Sequence, residues 1–169
     1  ILAEKPFFFT LGSLQKRKNL KWILEYAQKH AEETFAISGK VIGGMHTQEL
    51  DELSTLQNVV FLGYVSDGEV KSLMKKCRAF VFPSYYEGFG IPPLEALSEG
   101  AKIIVAKSAS LPEIYGKAAQ YIDVTDTDCN LSALAEKSVP QEEIKRVLSK
   151  FTYQNSAILL YNELKEAGV

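Results

Sequence analysis

Glu87 and Glu95 stand eight positions apart, with Gly88, Gly90, Pro92 and Pro93 between them. Ionised carboxylates are acceptors only, and hydroxyl-rich ligands such as sugars and ribose supply the donors they need. Gly88 and Gly90 tolerate positive φ and are expected to turn the chain sharply and expose its amides. Pro92 and Pro93 lack a backbone N–H, which suits a first helical turn where those donors would have no partner. The free amides then fall at Phe89, Gly90 and Ile91. They converge on a helix N-terminus, a place that favours an anion or a hydroxyl-rich ligand. Glu87 lies on the strand side of this turn and Glu95 early in the helix, so both are expected to face one crevice. Either glutamate alone reads as well as a helix-terminal or solvated residue. The constellation points to a ligand.

Three further stretches carry matching chemistry. Gly12-Ser13-Leu14-Gln15-Lys16-Arg17-Lys18-Asn19 sets three basic side chains and open amides before a helix, which suits a phosphate or diphosphate. Taken alone, it reads more economically as a solvated basic turn. It is neither GxGxxG nor a P-loop. Gly39 permits close approach beside Lys40. Tyr64 and Val65 offer an aromatic face and backbone groups to a planar base, although Tyr64 reads equally as a core aromatic.

The elements that must position these residues follow from apolar runs. Strands are expected at Phe7–Leu11, Thr34–Ser38, Val59–Leu62, Ala79–Phe82, Ile103–Ala106 and Ala119–Ile122. Helices are expected at Asn19–Ala31, Thr47–Leu56, from an Asp67 cap to Lys76, and at Pro93–Glu99 closed by Gly100. Three more follow at Asn130–Lys137, Gln141–Lys150 and Tyr153–Lys165. Uninterrupted apolar strands alternating with helices predict a Rossmann-like, doubly wound parallel α/β sheet with helices on both faces. Ligands of such sheets sit at the carboxyl ends of the strands, near the switch in strand order. All the residues singled out above fall there.

Composition narrows the field. The chain has 169 residues, 46% hydrophobic and 24% charged, with a net charge of −2. That fits one soluble domain and gives no basic field for nucleic acid. The apolar runs are strand-sized, too short to cross a membrane, and no signal-peptide pattern opens the chain. Cys77 and Cys129 are isolated, which suggests a reducing, cytoplasmic setting. His30 and His46 have no metal-ligand spacing, so no metal is expected. Lys71 to Arg78 reads as a solvated helix side rather than a membrane-surface face. The chain opens on Ile1 without methionine, as a piece of a longer protein would.

Glu87-Gly88-Phe89-Gly90-Ile91-Pro92 with Glu95 resembles the E-x7-E motif of the group 1, retaining, nucleotide-sugar glycosyltransferases. Gly12 to Leu20 is similar to that family's glycine and Arg-Lys-Asn stretch. Phe61 to Ser66 matches its nucleobase segment, and Leu111-Pro112-Glu113-Ile114 its "LPEV" element. The resemblance runs from about Phe7 to Asp123. It implies the C-terminal, donor-binding half of a GT-B fold, with the acceptor bound mainly by an N-terminal domain.

Carried over, Arg17 and Lys18 would neutralise the donor diphosphate, beside Gly12 and Ser13. Glu87, Gly88 and the amides of Phe89, Gly90 and Ile91 would hold the transferred sugar. Glu95 would bind the ribose, Tyr64 and Val65 would border the base, and Gly39 would admit it. Glu87, Lys18 and Arg17 would act at the reaction centre, with no metal or other cofactor. Ser13 departs from the family's usual arginine, which leaves open whether Arg17, beside Lys18, takes that role, and Lys117 stands where the family often has an aspartate. The resemblance implies a hexosyltransferase of polysaccharide or glycoconjugate biosynthesis, inactive as an isolated domain and touching a membrane only through the missing half. A nucleotide-sugar epimerase and a non-catalytic nucleotide-binding module are the alternatives.

Overall fold

The computed structural model describes residues 5–12, 15–39 and 55–168. Six parallel strands form one sheet: β1 (Phe7–Leu11), β2 (Thr34–Ser38), β3 (Val59–Gly63), β4 (Ala79–Phe82), β5 (Ile103–Ala106) and β6 (Gln120–Ile122). Their order is β3-β2-β1-β4-β5-β6, the doubly wound arrangement in which the chain reverses direction of winding between β1 and β4.

Strand side chains alternate between the two faces, and both faces are apolar. Phe7, Phe9, Phe80, Phe82, Ile103 and Val105 feed one core cluster. Phe8, Phe35, Ile37, Val81 and Ile104 feed the other. Phe8 stacks on Phe35 at 5.4 Å, and Phe9 meets Phe80 edge-on at 5.7 Å. Each fully buried side chain of this size contributes about 1.5–3 kcal/mol relative to exposure.

Helices cover both faces. α1 (Leu20–Lys29) buries Trp22, Ile23, Leu24, Tyr26 and Ala27 on the second cluster, joined by α5 (Leu131–Glu136) through Leu131 and Ala135. The first cluster is covered by α2 (Asp67–Lys76) through Met74 and α3 (Ile91–Ser98) through Ala96 and Leu97. α4 (Leu111–Tyr115) and α6 (Gln141–Lys150) complete that layer. The last helix, α7 (Tyr153–Glu166), buries none of its residues. No described helix is long and apolar enough to cross a membrane.

Several boundaries differ from expectation for local reasons. The cap of α2 is Ser66, not Asp67: its hydroxyl takes the Glu69 N–H while Glu69 returns to the Ser66 N–H. α3 starts two residues early, at Ile91, because prolines early in a first turn cost no hydrogen bond. α4 was not anticipated; it is five residues long and too short for periodicity to register. The expected helix Thr47–Leu56 falls almost wholly on residues 47–54, which lie outside the described residues, as does Ser13.

Candidate functional site

The switch between β1 and β4 brings together residues that are far apart in sequence. Past β1 the chain makes a one-turn 3-10 helix, Lys16–Lys18. Asn19 follows at φ 55, a left-handed conformation asparagine tolerates better than most residues. Its buried side chain donates to the Pro83 carbonyl at 3.1 Å, and the Tyr85 N–H donates to the Arg17 carbonyl at 2.9 Å. Thus the loop after β1 is tied to the loop after β4. Arg17 Nη1 and Lys18 Nζ both lie 2.7 Å from Glu87 Oε1. Lys18 and Glu87 are largely enclosed, whereas the Arg17 side chain is 46% exposed. Two cations share one carboxylate, leaving one positive charge uncompensated among these three. That excess faces an anion well.

The turn from Pro83 to Gly90 is held by hydroxyls from the segment after β5. Ser108 Oγ donates to the Ser84 carbonyl at 2.9 Å and Ser110 Oγ to the Glu87 carbonyl at 2.8 Å. Tyr115 Oη donates to the Gly90 carbonyl. With the Pro83, Ser84, Glu87 and Gly90 carbonyls engaged, the turn leaves the N–H groups of Phe89, Gly90 and Ile91 without acceptors among the described residues. These amides stand at the N-terminus of α3, as expected. Gly90 must be glycine: φ is 82, and a Cβ there would lie 2.7 Å from Leu111 Cδ2. Gly88 corrects the expectation. It has no positive φ, and a Cβ there would meet nothing within 4 Å.

Beside the turn opens a cleft of about 730 Å³. Gly12, Gly39, Tyr64, Val65 and Glu95 line it, together with Asp67, Lys71, Ser98 and Glu99. Gly12 lies under the Lys18 stem, where a Cβ would sit 3.4 Å from Cδ. The Gly39 N–H and Ser38 Oγ both donate to the Gly63 carbonyl at 2.9 Å, fixing that corner. Tyr64 is 70% exposed, which removes its reading as a core aromatic. Partial burial, then the nearby Asp67 charge, push the Glu95 carboxyl above its ordinary value, opposed by Lys71.

The two glutamates divide. Glu95 lines the cleft wall, whereas Glu87 is held at the ion pair and is not among the lining residues. The two stand in different parts of the site, Glu95 in the cleft wall and Glu87 at the ion pair beside it. Phe89 meets Phe151 edge-on at 5.0 Å in an apolar groove with Ile91 and Leu94, which shares Glu95 and Ser98 with the cleft. Burial pushes the thiols of Cys77 and Cys129 up to about 12 and about 11, so neither is a ready nucleophile. Among the described residues no group of three or more histidines, cysteines or carboxylates is placed to hold a metal ion.

Sequence reading missed the bracing hydroxyls of Ser108, Ser110 and Tyr115 and the cleft residues Asp67, Lys71 and Glu99. For Asp67 and Lys71 a signal existed: they are four apart on a helix, hence on one face. For the hydroxyls no local pattern distinguishes a brace from a loop serine.

The profile of the family described as "Glycosyl transferases group 1" matches residues 1–154. O-antigen chain mannosyltransferase B of Escherichia coli is 30% identical over 179 residues, covering 97% of this chain and 47% of that protein. O-antigen chain mannosyltransferase RfbU of Salmonella typhimurium is 26% identical, covering 97% and 48%. The chain therefore spans about half the length of these relatives. Sucrose-phosphate synthase of Thermosynechococcus elongatus shares the fold at TM-score 0.77 and 18% identity, over 98% of this chain and 47% of that one. Staphylococcus aureus TarM, solved with UDP, shares it at TM-score 0.70 and 15% identity, over 92% and 35%. With a parallel sheet of the GT-B type, basic and acidic residues meeting at its switch point, and a family match over most of its length, the chain belongs to the group 1 glycosyltransferases.

Proposed function

We propose that this chain binds a nucleoside-diphosphate sugar as the donor half of a retaining glycosyltransferase. The observation that carries this reading is the convergence of Arg17 and Lys18 on Glu87, beside three open amides and a cleft. Arg17, Lys18 and the N-terminus of α3 receive the diphosphate. Glu95 accepts from the ribose hydroxyls and Tyr64 borders the base. Glu87 orders both cations and, while the diphosphate shares them, accepts a hydroxyl of the sugar. The absence of a side chain at Gly88 gives the sugar room.

In the reaction the bond from the sugar C1 to the diphosphate oxygen breaks, and its electron pair leaves with the diphosphate. The acceptor oxygen bonds C1 on the same face, and its proton departs to the diphosphate. Lys18 and the amides stabilise the charge that develops, an effect that is strongest in a dry, closed cleft. TarM was solved with UDP, which supports a nucleoside diphosphate as ligand. The acceptor side belongs to an N-terminal domain. α7 supports this: Leu160, Tyr161 and Leu164 are exposed at i, i+1 and i+4 on one side of the helix, an apolar surface suited to cover by another domain.

The test is a titration of the chain with a nucleoside diphosphate and with its bare nucleoside, repeated for Lys18→Ala. We expect saturable diphosphate binding that Lys18→Ala weakens about tenfold or more, since a charge-assisted hydrogen bond contributes roughly 1.5–3 kcal/mol. Nucleoside binding should change little. Equal losses for both ligands would remove the phosphate role. Supplied with donor and acceptor, the chain without its other half should show negligible transfer.

A further inference from the structure

The loop after β4 lies between two others, because β4 stands between β1 and β5 in the sheet. On one side is the basic loop after β1, and on the other the segment after β5 with α4. Across a trans peptide the C=O and the N–H point in opposite directions. A hydroxyl of the β5 side that holds a carbonyl of the β4 loop therefore turns the following N–H away from that side. The first peptide of the loop shows where it then goes. Ser108 Oγ donates to the Ser84 carbonyl at 2.9 Å, and the next amide, that of Tyr85, donates to the Arg17 carbonyl at 2.9 Å. Here both halves of the relation are occupied.

The relation recurs twice with its second half open. Ser110 Oγ donates to the Glu87 carbonyl at 2.8 Å, and the Gly88 N–H of the same peptide has no acceptor among the described residues. Tyr115 Oη donates to the Gly90 carbonyl, and the Ile91 N–H of that peptide likewise has none. Gly88 and Ile91 are exposed, whereas Tyr115 is fully buried. Burial pushes the Tyr115 phenol above its ordinary value, so the hydroxyl keeps its proton and remains a donor. A peptide whose carbonyl accepts a hydrogen bond is polarised and donates more strongly through its N–H. We infer that Ser110 and Tyr115 are positioning residues, whose hydroxyls lock these two peptides so that the Gly88 and Ile91 amides face a diphosphate held by Arg17 and Lys18. Resting as it does on the donor-binding reading above, the inference adds to it the groups that aim the amides.

The experiment is an NMR titration of the isotope-labelled chain with inorganic pyrophosphate, a probe that carries no base or sugar. In the parent the amide signals of Gly88 and Ile91 should both shift saturably. Ser110→Ala should remove most of the Gly88 response and spare that of Ile91, and Tyr115→Phe should do the reverse. Each should weaken pyrophosphate by about threefold to tenfold, the scale of one hydrogen bond. Ser110→Thr, which keeps the hydroxyl, should bind within about twofold of the parent. A role confined to stability would lower the melting temperature without this crossed pattern. Thermal melts report whether each variant folds, and if Tyr115→Phe did not, the two Ser110 variants would decide the matter. Parent-like affinity and shifts in the variants, an equal loss of both amide responses in each, or a Ser110→Thr as weak as Ser110→Ala would overturn the positioning role and leave the diphosphate site standing. Absence of saturable binding in the parent would overturn both.

Discussion

The two ends of the sheet use the same kinds of residue to opposite effect. At the amino end, Arg78 donates to Ser132 Oγ and to Glu136 at 2.8 Å, Ser132 in turn donates to Glu33, and Lys102 donates to the Ala135 carbonyl. Tyr26 accepts the Leu131 N–H at 3.0 Å, and burial drives its phenol far above the ordinary range. Arg78 and Lys102 are balanced there by Glu33 and Glu136. At the carboxyl end Arg17 and Lys18 share one carboxylate, Glu87, and three amides have no acceptor among the described residues. One end closes its polar groups on itself, with Glu33 Oε2 the buried exception, and holds strands together. The other keeps capacity in reserve. Binding chemistry is visible as the part of the hydrogen-bonding capacity that the fold does not use.

The contrast breaks most sharply at glycine. Gly90→Ala forces a left-handed alanine into Leu111 and should destabilise the chain by about 2–4 kcal/mol in a denaturant melt. Gly88→Ala, two residues away, should leave stability within about 0.5 kcal/mol and weaken only the sugar-bearing donor relative to the bare diphosphate. If Gly88→Ala were as costly as Gly90→Ala, the space beside Gly88 would be structural and not a ligand's. At the closed end, Tyr26→Phe strands the Leu131 N–H. Stability should fall by about 1–3 kcal/mol with nucleotide affinity unchanged. A loss of affinity there would mean that the two ends are coupled.

The smallest effect is a pH dependence. Glu95 has its folded-state value raised above the ordinary 4.5, chiefly by burial. Its stabilising contribution is therefore present below the unfolded value and is lost as pH rises through the folded one. Replacement by glutamine removes that dependence, so the stability of the parent relative to Glu95→Gln should decline across that window. Ribonucleotide binding needs the ionised form. Acidification should thus weaken a ribonucleotide from a pH above 4.5 downward, and a 2′-deoxy analogue less. Equal pH dependence for both ligands would detach Glu95 from the ribose.

What could be read from the sequence, and what could not, follows from where the information lies. β1, β2, β4 and β5 have the boundaries that their apolar runs predict, because a strand buried on both faces reads as a near-continuous apolar run. The capping box of Ser66 and Glu69 was equally legible, being a local pattern, yet Asp67 competed for the same role. Arg17, Lys18 and Glu87 were each visible as candidates. Their meeting at one oxygen was not, since it depends on β1 and β4 being neighbours and no stretch of sequence states that order. The division between Glu87 and Glu95 was hidden for a related reason: eight positions across a turn and a helix start fix a path length and leave the two side-chain directions open.

Arg17 and Glu87 are 70 positions apart. During synthesis at about 5–20 residues per second, roughly 4–14 s separate the appearance of one from the other. β1 lies between β2 and β4, so it gains its first neighbour early and its second only after that interval. Until then a strand carrying Phe7, Phe8 and Phe9 presents one open edge, the kind of surface on which nascent chains pair wrongly. The strand order that creates the crevice also makes its two walls in different moments. The basic wall waits, unpaired, for the carboxylate that will order it.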